Sequence, residues 1–252
     1  MTLNNFILQL KNDLWNERLK FIILLFLFLF QVIVSVITIF YLEDILTLFN
    51  IEWINPIPLT GEAAFADFLG DQLLFGILIM SLGTMNIFAA EIDNKSISYS
   101  LTRPISRTEY SIAKLVARLS ALILPLIIAT LVGWGVMALI FEVFPLDRLI
   151  LSTFFIILLF LYLGVITSAL STRVSALTAG LGAIVLYIIQ FTLSVIQPIE
   201  LLSPFSYSAL WVDFLTNNWI PFNEIVLKLS LLGFWILIPL ILLIYSMKTR
   251  DF

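Results

Sequence analysis

Six long runs of apolar residues dominate the pattern of hydrophobic and polar positions along the chain. They cover about residues 19–42, 71–90, 112–143, 149–170, 176–197 and 225–247. A helix needs about 20 apolar residues to cross a hydrocarbon core about 30 Å thick, and each run has that length. The runs show no alternation of period two, so the strands of a membrane barrel are not expected. The pattern predicts an all-α membrane protein with six transmembrane helices in a single domain, residues 1–252.

The composition agrees with lipid as the solvent around most of the chain. Of its 252 residues, 61% are hydrophobic and only 12% are charged, whereas soluble domains carry about twice that charged fraction. The chain has no cysteine and no histidine, which excludes disulfides, thiolate or imidazole metal sites, and catalysis by either residue. No paired carboxylates or Ser–Lys pair stand in mid-membrane positions. The chain is therefore not expected to be an enzyme, and no metal or cofactor is expected in it.

The distribution of charge predicts the orientation. Six spans place both termini on one side, and eleven of the 13 Lys and Arg residues fall on that side. These are Lys11, Arg18, Lys20, Lys95, Arg103, Arg107, Lys114, Arg118, Arg173, Lys248 and Arg250. The other side has only Arg148 and Lys228. The positive-inside rule therefore predicts a multi-pass protein of the cell (cytoplasmic) membrane with both termini in the cytoplasm.

Two further helices are expected outside the spans. In residues 2–18, apolar side chains recur at helical spacing opposite a row of polar ones, which predicts an amphipathic helix in the cytoplasmic interface. It would serve either as a membrane anchor or as a contact for a partner. In the loop after the first span, Thr60 is a candidate helix start, and Phe65, Phe68 and Leu69 share a face. This pattern predicts a short surface helix on the outer side.

A polar segment, residues 91–111, separates the second span from the third. Within it, Ser106 and Glu109 have the spacing of a capping box, in which the hydroxyl accepts from the Glu109 amide and the carboxylate accepts from the Ser106 amide. The third helix is therefore predicted to begin at Arg107, and Pro104 predicts a sharp corner before it.

The first half of the polar segment has room for a short surface helix, between Glu91 and Leu101. A helix that leaves the membrane, turns and returns in this way would form a projection suited to docking in a groove of another protein. The alternative is a solvated loop followed by a well-capped helix.

The polar segment resembles the signature of the permeases of ABC type-2 transporters. The family pattern is an acid at the end of span 2, a small polar stretch, a run of the form L-x-R/x-P-[IVL]-[ST]-R and a Lys a few residues into span 3. The matching residues are Glu91, Leu101, Arg103, Pro104, Ser106, Arg107 and Lys114. The run 202–207 is also similar to the family's segment before the last span, and six helices with an amphipathic start extend the resemblance over the whole chain.

The resemblance implies a single ABC type-2 transmembrane domain that works as a pair, with a second copy of this permease or a homologous one. Two copies of a separate ATP-binding subunit would dock on the cytoplasmic face and carry ATP and Mg²⁺, because this chain has no G-x-x-x-x-G-K-[ST] run. The short helix between spans 2 and 3 would be the coupling helix. The residues implied in coupling are Glu91, Ser96, Arg103, Pro104, Ser106 and Arg107. The lipid bilayer is the remaining expected partner, and nucleic acid is not expected.

Polar residues within the spans are candidates for a substrate pathway. They are Gln31, Ser35, Ser81, Asn86, Gln190 and Ser194. They would line a path for an amphipathic or lipid-like substrate, or they would form hydrogen bonds between helices, which contribute about 0.6 kcal/mol each. No charge lies near the centre of any span, which disfavours a proton- or ion-driven transporter.

Two functions are consistent with these observations. The first is the membrane-spanning permease subunit of an ATP-driven ABC exporter. The second is a non-transporting membrane scaffold that transmits ATPase-driven motion to a partner on the outer face.

Overall fold

The computed structural model describes residues 3–48, 61–97, 105–140, 146–194, 196, 203–207 and 221–250, and the secondary structure within these ranges is entirely helical. The helices are α1 (Leu3–Leu48), α2 (Gly61–Thr84), α3 (Ala89–Asp93), α4 (Arg107–Ile140), α5 (Leu146–Ser171), α6 (Ala176–Ser194) and α7 (Phe222–Thr249), with a 3₁₀ turn at Pro204–Tyr207. Six segments are long and apolar enough to cross a membrane: α1, α2 with α3, and each of α4 to α7. The prediction of a multi-pass, all-helical membrane protein is confirmed.

Helix α5 lies at the centre of the bundle. It packs against α2, α4, α6 and α7, whereas α1 lies mainly along α4 and also touches α2. In lipid, apolar burial adds little to helix association, so close packing must hold the helices together. Gly76 of α2 illustrates this, because a Cβ there would overlap the ring of Phe160 of α5.

Helix α1 continues without interruption from Leu3 to Leu48. At 1.5 Å per residue it is about 69 Å long, so it extends well beyond a hydrocarbon core of about 30 Å. The predicted amphipathic helix at residues 2–18 and the first span are therefore one continuous helix over the described residues. An N-terminal segment lying flat in the interface stays a prediction.

The prediction of a short outer surface helix is wrong. Helix α2 begins at Gly61 and runs without a break into the second span. Phe65, Phe68 and Leu69 are at most 1% exposed and belong to the core. The ring of Phe68 fits against Gly133 of α4, where a Cβ would lie 2.8 Å from its Cζ atom. The shared apolar face therefore packs against a neighbouring helix. Thr60 lies outside the described residues.

Helix α2 ends earlier than the second run of apolar residues. A turn at residues 85–88 separates it from α3. The amide of Ile87 donates to the carbonyl of Thr84, at 3.2 Å, rather than to that of Gly83. The Gly83 carbonyl therefore loses the partner that a continuous helix would provide.

The helix ends that were predicted to share one side do meet at one end of the bundle. Side-chain contacts join the first half of α1, the ends of α2, α5 and α7, and the start of α4. We call this the polar end. It contains the described part of the polar segment, and the remaining residues of that segment, 98–104, lie outside the description.

Candidate coupling site

The structure describes four of the six residues implied in coupling. Glu91 belongs to α3, and Ser106 and Arg107 stand at the start of α4. Ser96 donates its hydroxyl to the Glu91 carbonyl at 3.4 Å. Arg103 and Pro104 lie outside the described residues, and so does most of the expected coupling helix, which stays a prediction.

Glu91 is the centre of a cluster that joins α3 to α4. The Tyr110 hydroxyl donates to Oε2 of Glu91, and Lys114 forms an ion pair with Oε1. Lys114 also donates to the Tyr110 hydroxyl at 3.2 Å. Tyr110 and Lys114 are one turn apart on α4 and so share a face. Tyr110 is 1% exposed, and the pair of charges is largely covered. The cluster therefore fixes the two helices on either side of the polar segment to each other.

Arg118, one turn further along α4, joins three helices. Its Nη2 atom lies 2.9 Å from Oε1 of Glu17 on α1. Its Nη1 atom donates to the Gly83 carbonyl at 2.7 Å and to Oδ1 of Asn86 at 3.4 Å. The guanidinium thus replaces the amide partner that Gly83 loses at the end of α2, where the helix dipole also favours a cation.

Arg118 was predicted only to lie on the cytoplasmic side, and no prediction concerned Glu17. The side chains of these residues are only 8% and 13% exposed. One sequence feature could have indicated a structural role for Arg118: it follows Lys114 by four residues and so shares a face of α4 with it. For Glu17 the local spacing indicated only its pair with Lys20 on α1, because its second partner, Arg118, is on a distant helix.

Arg107 connects the start of α4 to the end of α7. Its Nη1 atom donates to the carbonyl of Arg250 at 2.7 Å and to that of Lys248 at 3.2 Å. The last carbonyls of a helix have no amide partners within it, and a cation there also stabilises the negative end of the dipole. One function of Arg107 is therefore internal, as a cap of α7.

Ser106 and Glu109 form both hydrogen bonds of the capping box. The Ser106 amide donates to Oε2 of Glu109 at 3.0 Å, and the Glu109 amide donates to the Ser106 hydroxyl at 3.3 Å. Helix α4 begins at Arg107. At the start of α4, side chains thus satisfy the amides of Ser106 and Glu109.

The six candidate pathway residues are not joined to one another by hydrogen bonds in the described part of the chain. Gln31, Ser35 and Ser81 are buried, and their Nε2 or Oγ atoms have no hydrogen-bond partner there. The side-chain amide of Gln190 pairs with the Tyr162 hydroxyl, with Nε2 at 2.7 Å, and so links α6 to α5. The remaining two are also engaged: Asn86 accepts from Arg118, and Ser194 donates to the Phe191 carbonyl. A substrate pathway stays a prediction.

No protein-family model and no curated protein sequence matches this chain. The resemblance to ABC type-2 permeases stays a prediction from the sequence.

Proposed function

We propose that this chain is the membrane-spanning permease subunit of an ATP-driven exporter. A separate ATP-binding subunit, in two copies with ATP and Mg²⁺, would dock on the polar segment from the cytoplasm. A second copy of this permease or a homologous one would complete the transporter. The proposed substrate is an amphipathic or lipid-like compound, whose path the polar residues within the spans would line.

The observation that carries this proposal is the way the polar segment is connected to the bundle. Its first flank is tied through Glu91 to Tyr110 and Lys114 of α4. Its second flank is tied through Arg107 to the end of α7. A force applied to the segment would therefore reach α3, α4 and α7 through short polar contacts.

Arg118 supports the same proposal because it extends these connections to α1 and α2. A shift of α4 along its axis would displace the guanidinium from Glu17 or from the Gly83 carbonyl. Such contacts either hold or break, so the proposed motion takes the bundle between two discrete arrangements rather than through a continuous deformation. A docked ATPase could bias the equilibrium between them.

Co-purification with the ATP-binding subunit tests the proposal. We expect Arg103→Glu with Arg107→Glu to release that subunit, because both substitutions reverse charge on the docking surface. Arg107→Glu also removes the internal cap of α7, so a control is needed. A chain that ends at Thr249 removes the Arg250 carbonyl and leaves the charge of the polar segment intact. It should retain the subunit. Equal release by both variants would contradict docking on the segment.

Transport measurements separate the exporter from the scaffold. In vesicles that contain the permease and its ATPase, an exporter moves a compound only when ATP is hydrolysed. ATP hydrolysis that depends on the permease but moves no lipid or amphipathic compound would support the scaffold, which acts on an outer-face partner instead.

A further inference from the structure

A cleft of about 530 Å³ lies between α6 and α7, with α5 as its floor. Both helices pack against α5, yet they make almost no contact with each other over the described residues. The cleft is therefore open along its side, toward the surroundings of the bundle. Its volume is in the range of sites that bind small molecules.

The walls of the cleft are apolar along most of their length. Ile166 and Leu170 of α5 form part of the floor, and Trp235 and Leu242 belong to the α7 wall. That wall extends from Trp235 to Ser246, which is about 16 Å at 1.5 Å per residue. One leaflet of a hydrocarbon core about 30 Å thick has nearly the same depth. The cleft therefore has the length and the chemistry of a groove for an acyl chain.

At the end of the cleft that lies deep in the bundle, no polar group among the described residues needs a ligand. Tyr162 and Gln190 are the polar residues there, and their side chains are hydrogen-bonded to each other. The polar part of a ligand must therefore be bound at the opposite end of the cleft.

The opposite end, within the polar end of the bundle, is positively charged. Arg173, in the turn after α5, lines the cleft and donates to Ser246 at 2.7 Å and to Thr249 at 3.1 Å. Both acceptors are neutral hydroxyls. Among the described residues no carboxylate forms an ion pair with Arg173. Lys248 and Arg250 are two further cations, at the end of α7 and just after it, but neither lines the cleft, and the Arg250 guanidinium donates to the Thr172 carbonyl. The charge of Arg173 is therefore not neutralised within the described chain.

The geometry points to a binding site for one anionic phospholipid, with its phosphate on Arg173 and an acyl chain in the cleft between α6 and α7. Guanidinium groups bind phosphate through paired, charge-assisted hydrogen bonds. Basic pockets between transmembrane helices favour anionic headgroups for this reason. The inference depends on the cleft and on Arg173, and it holds whether or not the chain belongs to a transporter.

Native mass spectrometry of the delipidated, purified protein tests the headgroup. Phosphatidylglycerol and phosphatidylcholine with identical chains are titrated separately. We expect tighter binding of phosphatidylglycerol, and Arg173→Gln should weaken it about fivefold, the effect of roughly one cation. Lys11→Gln is the matched control, because it removes one exposed cation of α1 and should leave the affinity unchanged.

Fluorescence quenching tests the acyl chain. Phosphatidylglycerol with brominated chains should quench Trp235, measured as the difference between the wild type and Trp235→Phe. Arg173→Gln should reduce this quenching to the level given by brominated phosphatidylcholine. Ala169→Phe, which fills the cleft floor, should abolish it while gel filtration shows an unchanged elution volume.

Several results would overturn the inference. One is equal phosphatidylglycerol affinity in wild type and Arg173→Gln. Another is displacement of the lipid by inorganic phosphate, which would indicate a site for a free anion alone. A third is an absence of Trp235 quenching together with cross-links between two copies of the Leu242→Cys variant, which would show that a second copy covers the cleft.

Discussion

Glu17 of α1 and Arg118 of α4 form an ion pair in which Oε1 and Nη2 are 2.9 Å apart, and both side chains are largely buried. The same guanidinium donates to the carbonyl of Gly83 at the end of α2. One side chain therefore fixes three helices at the polar end of the bundle.

Loss of the Glu17 carboxylate should destabilise the protein strongly. Glu17→Gln leaves the Arg118 charge buried without its counter-ion, and removing one partner of such a pair costs about 3–5 kcal/mol. We expect a decrease of about 3 kcal/mol in the free energy of unfolding, measured by SDS titration in mixed micelles. Lys20→Gln is the control, because Lys20 pairs with Glu17 but is 43% exposed, and such pairs contribute at most about 1 kcal/mol. Equal effects of the two substitutions would mean that Arg118 does not depend on Glu17.

Gly76 should tolerate no side chain. A Cβ at this position overlaps the ring of Phe160, and overpacking of this kind costs about 1–3 kcal/mol. Gly135→Ala is the matched control, because no atom lies within 4 Å of the added Cβ and alanine favours a helix by about 0.5–1 kcal/mol over glycine. Thermal unfolding in detergent should therefore show a lower Tm for Gly76→Ala and an unchanged or higher one for Gly135→Ala. The opposite order would mean that α2 and α5 are not packed at this point.

The capping box should stabilise the first turn of α4. Ser106→Ala removes the acceptor of the Glu109 amide, and a lost N-cap costs about 1 kcal/mol. We expect faster hydrogen exchange of the amides at positions 108–110, by about fivefold, with little change in the rest of α4. Ser106→Thr keeps a hydroxyl in place and should preserve the wild-type rates. An unchanged rate in Ser106→Ala would show that the box does not protect this turn.

The orientation can be tested cleanly because the chain has no cysteine of its own. Asn94→Cys introduces a thiol after α3, and Phe222→Cys introduces one at the start of α7, where Phe222 is 78% exposed. The charge distribution predicts that a membrane-impermeant maleimide labels position 222 in intact cells and position 94 only after the cells are opened. The reverse pattern would place the polar segment outside.

The features that the sequence predicted well are those encoded within a few residues. The start of α4 at Arg107 follows from Ser106 and Glu109, which are three positions apart and form the hydrogen bonds of the box locally. The six spans follow from long apolar runs, because the thickness of the bilayer sets their length.

The features that the sequence did not predict depend on contacts between distant segments. Glu17 and Arg118 meet only because α1 lies along α4. The turn after α2 was missed because the apolar pattern continues through it, although Gly83 and Asn86 are poor helix formers. Phe68 appeared to belong to a surface helix because its partner, Gly133, lies on another span.

The central claim is that an ATP-binding subunit docks on residues 91–111, and site-specific cross-linking from position 94 tests it most directly. The Asn94→Cys variant is labelled in native membranes with a short photoactivatable maleimide. The Phe222→Cys variant, labelled with the same reagent, is the control. The predicted result is a cross-link from position 94 alone to a second protein that has a G-x-x-x-x-G-K-[ST] motif and hydrolyses ATP faster when this chain is present. Capture of no such chain from position 94, or equal capture from position 222, would contradict the claim.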